Sequence, residues 1–428
     1  MDKYLIKYLV DTAETPLAKK YLDFFKVELD WHLYVSKTHM SKNYFRNRKK
    51  SLKEELLTFY QYSYALAFSN NLKQTNNLKI LSTVYFPNKE LFSDLKIDSY
   101  SPVWHPVGKT NIFGDLKTLQ WHKNIQHRIR NDDFNLFLDA TFQEELETFQ
   151  QHLLVQYQKQ DFRALFLYTD QYFYSKYNID IFKKMNRPSF IFTHGMPGIY
   201  NLEVDNRADY LMVWSEKIKQ NYVRAGFSET KLKVVGNPKY GKIPKKKTLR
   251  SNLTDVLVLP VSSVTWHQHT YGNPVVNDAS LVILYLYQVQ HTLQKLGVKK
   301  ARYRSHPSIN QKWIHSFLDP NFYSFDDVSL TASLKKSSLV IGSNSTVVLE
   351  ALMHGVNYIA YDPKDENGVN MSGYKSVPPF DGSEEKLMMS ETEVELEKMI
   401  KGNAITDYTL VHDYIQDFDL SVLKDLIN

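Results

Sequence analysis

The sequence predicts an α/β protein with two doubly wound parallel sheets that face each other across a cleft. Three observations predict it. From Leu78 onward, apolar runs of strand length alternate with segments of helical period. The alternation breaks at a turn-rich basic stretch, Gly236-Asn237-Pro238-Lys239-Tyr240-Gly241-Lys242-Ile243-Pro244-Lys245-Lys246-Lys247, and then restarts. Within the second half, SSLVIGSNSTVVLEALMHGVNYIAYDP (residues 337–363) reads as strand, polar turn, helix and strand in one unit.

In chain order, residues 1–70 read as helical, and Leu52, Leu56, Leu57 and Phe59 stand at spacings that bury one helix face. Strands follow at 78–81, 163–168, 189–193, 210–214 and 233–235, with helices at 144–158, 172–185 and 216–225 between them. Beyond the turn-rich stretch come strands at 256–259 and 301–304 and helices at 279–296 and 329–336, leading into the 337–363 unit. Residues 407–427 read as helical. The expected division is a first domain over 1–237, a linker over 238–252, a second domain over 253–404 and a C-terminal helix over 405–428 that packs back on the first domain.

Length and composition suit this plan. A chain of 428 residues is long for one core and fits two domains of about 200 residues each. Its 53 Lys and Arg against 47 Asp and Glu give a net charge of +6, a mild excess that does not point to nucleic acid. The basic residues cluster at Lys42, Arg46, Arg48, Lys49 and Lys50 and again over 242–250, as a solvated face or linker would, or as a contact with anionic lipid or glycan at a membrane surface would. With no cysteine there is no disulfide framework, zinc ribbon or thiol nucleophile. The first twenty residues lack a signal-peptide core, and no apolar run reaches membrane-span length, so the expectation is a cytoplasmic protein.

The candidate chemistry sits at strand ends. The turn Gly342-Ser343-Asn344-Ser345-Thr346 opens a helix, where backbone N–H groups and the hydroxyls of Ser343, Ser345 and Thr346 can converge on a phosphate; the same residues are also ordinary N-caps. Glu350, a turn further on, can accept hydrogen bonds from a ribose. His306, in Ser305-His306-Pro307, ends the preceding strand of that half and would face the same crevice. In the first half, His194 in Thr193-His194-Gly195-Met196-Pro197-Gly198 is a candidate general base, and Asp170 either orients it, serves as the base itself, or caps a helix. His267 and His269 follow the first strand of the second half. Neither G-x-G-x-x-G, nor G-x-x-x-x-G-K-[ST], nor H-E-x-x-H occurs, and the acidic pairs Asp132-Asp133, Asp326-Asp327 and Asp417/Asp419 read as surface or cap residues, so no metal is expected and no bound cofactor is needed.

Taken together, His194-Gly195, Gly236-Asn237-Pro238, Ser305-His306-Pro307 and Ser343-Asn344-Ser345-Thr346 with Glu350 resemble a GT-B glycosyltransferase, with two Rossmann-like domains. Within that class the His-Pro and serine-turn pair is similar to bacterial sialyltransferases and polysialyltransferases, capsule Kdo transferases and CDP-glycerol glycerophosphotransferases, over roughly residues 160–363. The resemblance implies a metal-independent transferase that takes a sugar from a nucleotide donor, CMP-linked by preference, to a cell-surface polysaccharide or lipid-linked glycan. It also implies that His306, Ser343, Ser345 and Thr346 contact the donor phosphate. Three other readings stay open: transfer of a polyol phosphate from a CDP-polyol, UDP-sugar 2-epimerisation, and non-catalytic glycan binding.

Overall fold

The computed structural model describes residues 2–30, 52–67, 75–86, 92, 95–107, 111–131, 134–202, 204–260, 281–305, 314–364, 370 and 377–427. Its strands fall into two sheets. The first holds β1 (Leu78–Ser82), β2 (Ile97–Pro102), β3 (Asn111–Phe113), β4 (Phe162–Leu167), β5 (Ser189–Phe192), β6 (Tyr210–Val213) and β7 (Leu232–Val234), in the order β3-β2-β1-β4-β5-β6-β7. The second holds β8 (Val256–Leu259), β9 (Ala301–Tyr303), β10 (Tyr323–Phe325), β11 (Leu339–Gly342), β12 (Tyr358–Tyr361) and β13 (Met389–Ser390), in the order β10-β9-β8-β11-β12-β13. All pairings between these strands are parallel. Each sheet therefore has one point where the strand order reverses, β1/β4 in the first and β8/β11 in the second, and open α/β sheets bind ligands beyond the carboxyl ends of strands at such points.

Parallel sheets are covered on both faces, so their strands are apolar at every position rather than at alternate ones. The strands β5, β8, β11 and β12 are buried throughout. The covering helices of the first half are α1 (Asp2–Asp11), α2 (Pro16–Phe24), α3 (Lys26–Asp30), α4 (Leu52–Ala67), α5 (Leu116–Asn131), α6 (Ala140–Lys159), α7 (Phe173–Lys184) and α8 (Glu216–Arg224); those of the second are α9 (Leu281–Lys295), α10 (Leu330–Lys336), α11 (Val347–Met353) and α12 (Glu393–Lys401). Side-chain oxygens of Thr15, Asp139, Ser215, Ser329 and Thr392 cap α2, α6, α8, α10 and α12 by accepting a first-turn N–H.

Residues 16–30 belong to this cover. Phe25 stacks on Phe173 of α7 with ring centroids 4.3 Å apart and meets Phe137 edge-on at 4.9 Å. Glu28 Oε1 accepts the N–H of Phe173 at 3.0 Å, and Lys176 donates to the Asp23 carbonyl at 2.9 Å.

Three expectations are corrected. Leu52, Leu56, Leu57 and Phe59 do not make the buried face of α4; they are 72%, 59%, 45% and 71% exposed. The helix packs instead through Gln61 and Ala65 in its second half, with Ala65 against Val103, Ile112 and Leu119. The C-terminal region is not one helix. It folds as α13 (Thr409–Tyr414), an extended strap over 415–420, and α14 (Leu423–Leu426), because the strap's backbone finds partners elsewhere. Gln416 N–H donates to Trp214 O at 2.8 Å, Asp419 N–H to Val235 O at 2.9 Å and Phe418 N–H to Gly241 O at 2.9 Å. Leu420, Leu423 and Ile427 then bury against Ile80, Phe166 and Phe192 of the first sheet. Finally, Asp326 is no surface residue. It is buried and accepts hydrogen bonds from Arg302, Ser333 and, at 3.5 Å, Arg304, whereas Asp327 is exposed. Asp132, Asp133, His267, His269, His306 and the basic cluster Lys42–Lys50 lie outside the described residues.

Candidate functional site

The serine turn stands at the reversal point of the second sheet. It leaves β11 at Gly342, and Ser343 N–H donates to the carbonyl of Leu259, the last residue of the neighbouring β8, at 3.2 Å. Gly342 is required there, because a Cβ would run into the ring of Tyr358. Tyr358, fully buried on β12, donates its hydroxyl to the Ser343 carbonyl at 2.5 Å. Asn344 Nδ2 reaches Asp362 at 2.9 Å, and Ser345 Oγ accepts the Val347 N–H at 3.2 Å. The turn is thus fixed from three sides while Ser345 and Thr346 stay half-buried at its surface. Among the described residues, no backbone acceptor takes the N–H of either.

The helix after it is short. α11 spans seven residues and its N-cap, Thr346, makes no side-chain cap. Instead, Thr346 Oγ1 crosses to the first half and accepts the Met196 N–H at 3.0 Å. Gly195 is part of the same contact, since a Cβ on it would lie 3.3 Å from that oxygen. Any anion at the turn is therefore met by local N–H and hydroxyl groups, with little help from a helix dipole. Glu350, 8% exposed, accepts hydrogen bonds at Oε1 from Lys239 Nζ at 2.8 Å and from the Tyr240 hydroxyl at 3.0 Å. Sequence reading missed these linker partners; the only local signal is the cation and aromatic that follow the Asn237-Pro238 turn.

On the opposite side, His194 follows β5 in a loop held by the Trp214 indole N–H, which donates to Thr193 O at 2.8 Å. Its ring lies edge-on to Tyr168, 6.1 Å between centroids. Crowding by surrounding atoms lowers its pKa from the ordinary histidine value, and its exposure at the cleft limits that effect. The lowered pKa favours the neutral ring, the form a proton acceptor needs.

Asp170 does not join His194. It is 1% exposed, and its two oxygens accept backbone N–H groups of the next loop, from Asp205 at 2.7 Å and Arg207 at 2.5 Å. Neither is it the cap of α7, whose first N–H goes to Glu28. Burial raises the pKa of Asp170, and burial with the Asp170 charge pushes Asp205 up to about 7; with both Asp170 oxygens taken by backbone N–H groups, the pair anchors the loop. The structure therefore brings the His194 loop, Thr346 and Ser345 together and leaves Asp170 apart; no group of metal-ligating side chains occurs among the described residues.

No protein-family model matches this chain, and no curated protein matches it. Solved structures do. A Listeria monocytogenes protein described as a UDP-N-acetylglucosamine 2-epimerase shares 11% identity over 82% of this chain and 94% of its own, with a TM-score of 0.47. Methanocaldococcus jannaschii UDP-GlcNAc 2-epimerase, bound to UDP-GlcNAc and UDP, shares 13% over 76% of this chain and 92% of its own, at 0.44. Anabaena HepE, in complex with UDP and glucose, shares 12% over 82% and 98%, at 0.39. Likeness this distant assigns neither substrate nor reaction; the fold class rests on the two parallel sheets of the chain itself, each with one reversal point and a functional candidate beside it.

Proposed function

We propose that this protein is a glycosyltransferase that moves a sugar from a nucleotide-activated donor to a glycan hydroxyl. The observation that carries the reading is the Met196–Thr346 hydrogen bond, which joins the His194 loop of one sheet to the serine turn of the other. A donor phosphate at Ser343, Ser345 and Thr346 then has its sugar next to His194. His194 takes the proton of the acceptor hydroxyl, the acceptor oxygen bonds to the anomeric carbon, and the bond from that carbon to the phosphate oxygen breaks with its electron pair on the phosphate. The turn's N–H and hydroxyl groups receive that charge. The second oxygen of Glu350 is assigned to the ribose, and His306 to the phosphate on its sequence alone. No helix among the described residues is long and apolar enough to cross a membrane.

The test is release of free nucleotide from a nucleotide-sugar, with and without glycan. Glycan-dependent release that falls at least a hundredfold in His194→Ala, at unchanged nucleotide affinity, is the expected result, consistent with the 10²–10⁴-fold typical of a general base. Conversion of the donor sugar without any acceptor identifies an epimerase instead, and equal losses of binding and turnover remove His194 from the acceptor side.

A further inference from the structure

The reversal point of the first sheet holds a cavity of about 350 Å³ that the site described above does not use. Thr83, just after β1, and Tyr168 and Thr169, just after β4, form its floor, and Trp104, beyond β2, and His122, on α5, form a wall. His122 is 2% exposed and neither ring nitrogen has a hydrogen-bond partner among the described residues. Its ring is clamped: Trp104 stacks on it at 3.6 Å between centroids, and Trp121 meets it edge-on at 4.9 Å. A buried imidazole with two unmade hydrogen bonds at the wall of a cavity calls for a partner that the described residues do not supply.

We infer that this cavity binds one pyranose ring of the acceptor glycan, with His122 hydrogen-bonding its hydroxyls. Burial keeps the imidazole neutral, so one nitrogen donates and the other accepts, a pair that matches sugar hydroxyls, which do both. Tyr168, Tyr172 and Trp104 offer aromatic surface for the C–H faces of the ring, and Thr83 and Gln126 offer further polar partners. No carboxylate lines the cavity among the described residues. The volume lies in the range of small-molecule sites and accommodates a single sugar. Its position also fits the reaction: the Tyr168 ring that floors the cavity is the ring against which His194 stands. The assignment of the sugar to the acceptor rests on the glycosyltransferase reading; the sugar site itself does not.

The experiment titrates glucose, N-acetylglucosamine and glucuronic acid into the full chain, read by intrinsic tryptophan fluorescence, because Trp104 and Trp121 flank His122, and by saturation-transfer NMR. Nucleotide affinity is measured in parallel. The expected result is saturable binding of at least one of the three, weakened tenfold or more in His122→Phe, which keeps the aromatic packing, and weakened in Gln126→Ala, one turn along α5. Nucleotide affinity stays unchanged in both variants and also reports that they fold. No saturable binding in the wild type, the signature of a cavity holding water only, overturns the inference, as does equal affinity in wild type and both variants. Sugar binding that depends on His122 in a protein that binds no nucleotide upholds the cavity and removes the transferase reading; the converse pattern does the reverse.

Discussion

At the scale of single residues, the serine turn is held by contacts that can be broken singly. Tyr358→Phe leaves the ring packed but removes the donor to the Ser343 carbonyl. The expected cost is about 1 kcal/mol of stability in urea denaturation, with weaker nucleotide binding; unchanged stability would mean that another donor takes over the carbonyl. The Asp170–Asp205 pair gives a pH signature. Asp205 keeps its proton up to about 7 in the folded state, whereas the unfolded carboxyl releases it near 4. The folded protein therefore binds the extra proton between those values, so this group's contribution to stability is complete below about pH 4 and lost as pH rises through about 7. Asp205→Asn should remove that part of the decline. Identical pH profiles of denaturation for wild type and variant would contradict the raised pKa. The strand-end positions of His194 and the serine turn were legible in the sequence because they follow from hydrophobic periodicity alone. Asp170 was misread because its partners, the N–H groups of 205 and 207, are set by a loop path that no local pattern encodes. His122 escaped notice for a similar reason: it lies mid-helix, and its cavity is assembled from three separate strand ends.

At the scale of elements, periodicity located the strongly apolar strands and most of the helices between them, such as β8 and α7, to within a residue or two, but placed the start of α6 four residues late. It passed over β2 (Ile97–Pro102, IDSYSP) and β3 (Asn111–Phe113), which are short or polar and are recognised as strands only by their neighbours, and over α5, whose sequence is rich in polar residues. It also mistook the tail for one helix, because Leu420, Leu423 and Ile427 have a helical spacing while the backbone before them is claimed by Trp214 and Val235. That strap makes a prediction at its own scale. Gly236 has φ +71° and a Cβ on it would lie 2.5 Å from the Gln416 carbonyl oxygen, so Gly236→Ala strains the backbone and pushes the strap away. The melting temperature should drop by several degrees and amide exchange should speed up at 415–420, with little change in α9; protection unchanged over the strap would refute the assigned contact.

At the scale of the whole molecule, the two sheets put one reversal point on each side of the cleft, and polar contacts span it. Thr346 meets Met196, and Lys217 of α8 pairs with Glu384. Glu350, on the helix after the turn, is tied to Lys239 and Tyr240 in the linker, so the segment joining the two halves touches the proposed donor side directly. On the proposed function, Glu350 links the donor side to the segment joining the halves, and Lys239→Ala should alter nucleotide affinity although Lys239 is largely exposed. The central claim is that the second reversal point is a nucleotide site. The measurement that tests it most directly is calorimetric titration of CMP, CDP, UDP and GDP, without added metal, into the wild type and Ser345→Ala. The account predicts selective binding of one of them, weakened about tenfold in the variant, the loss of one hydrogen bond to a charged group. Absence of binding by all four, or binding indifferent to Ser345, would contradict it.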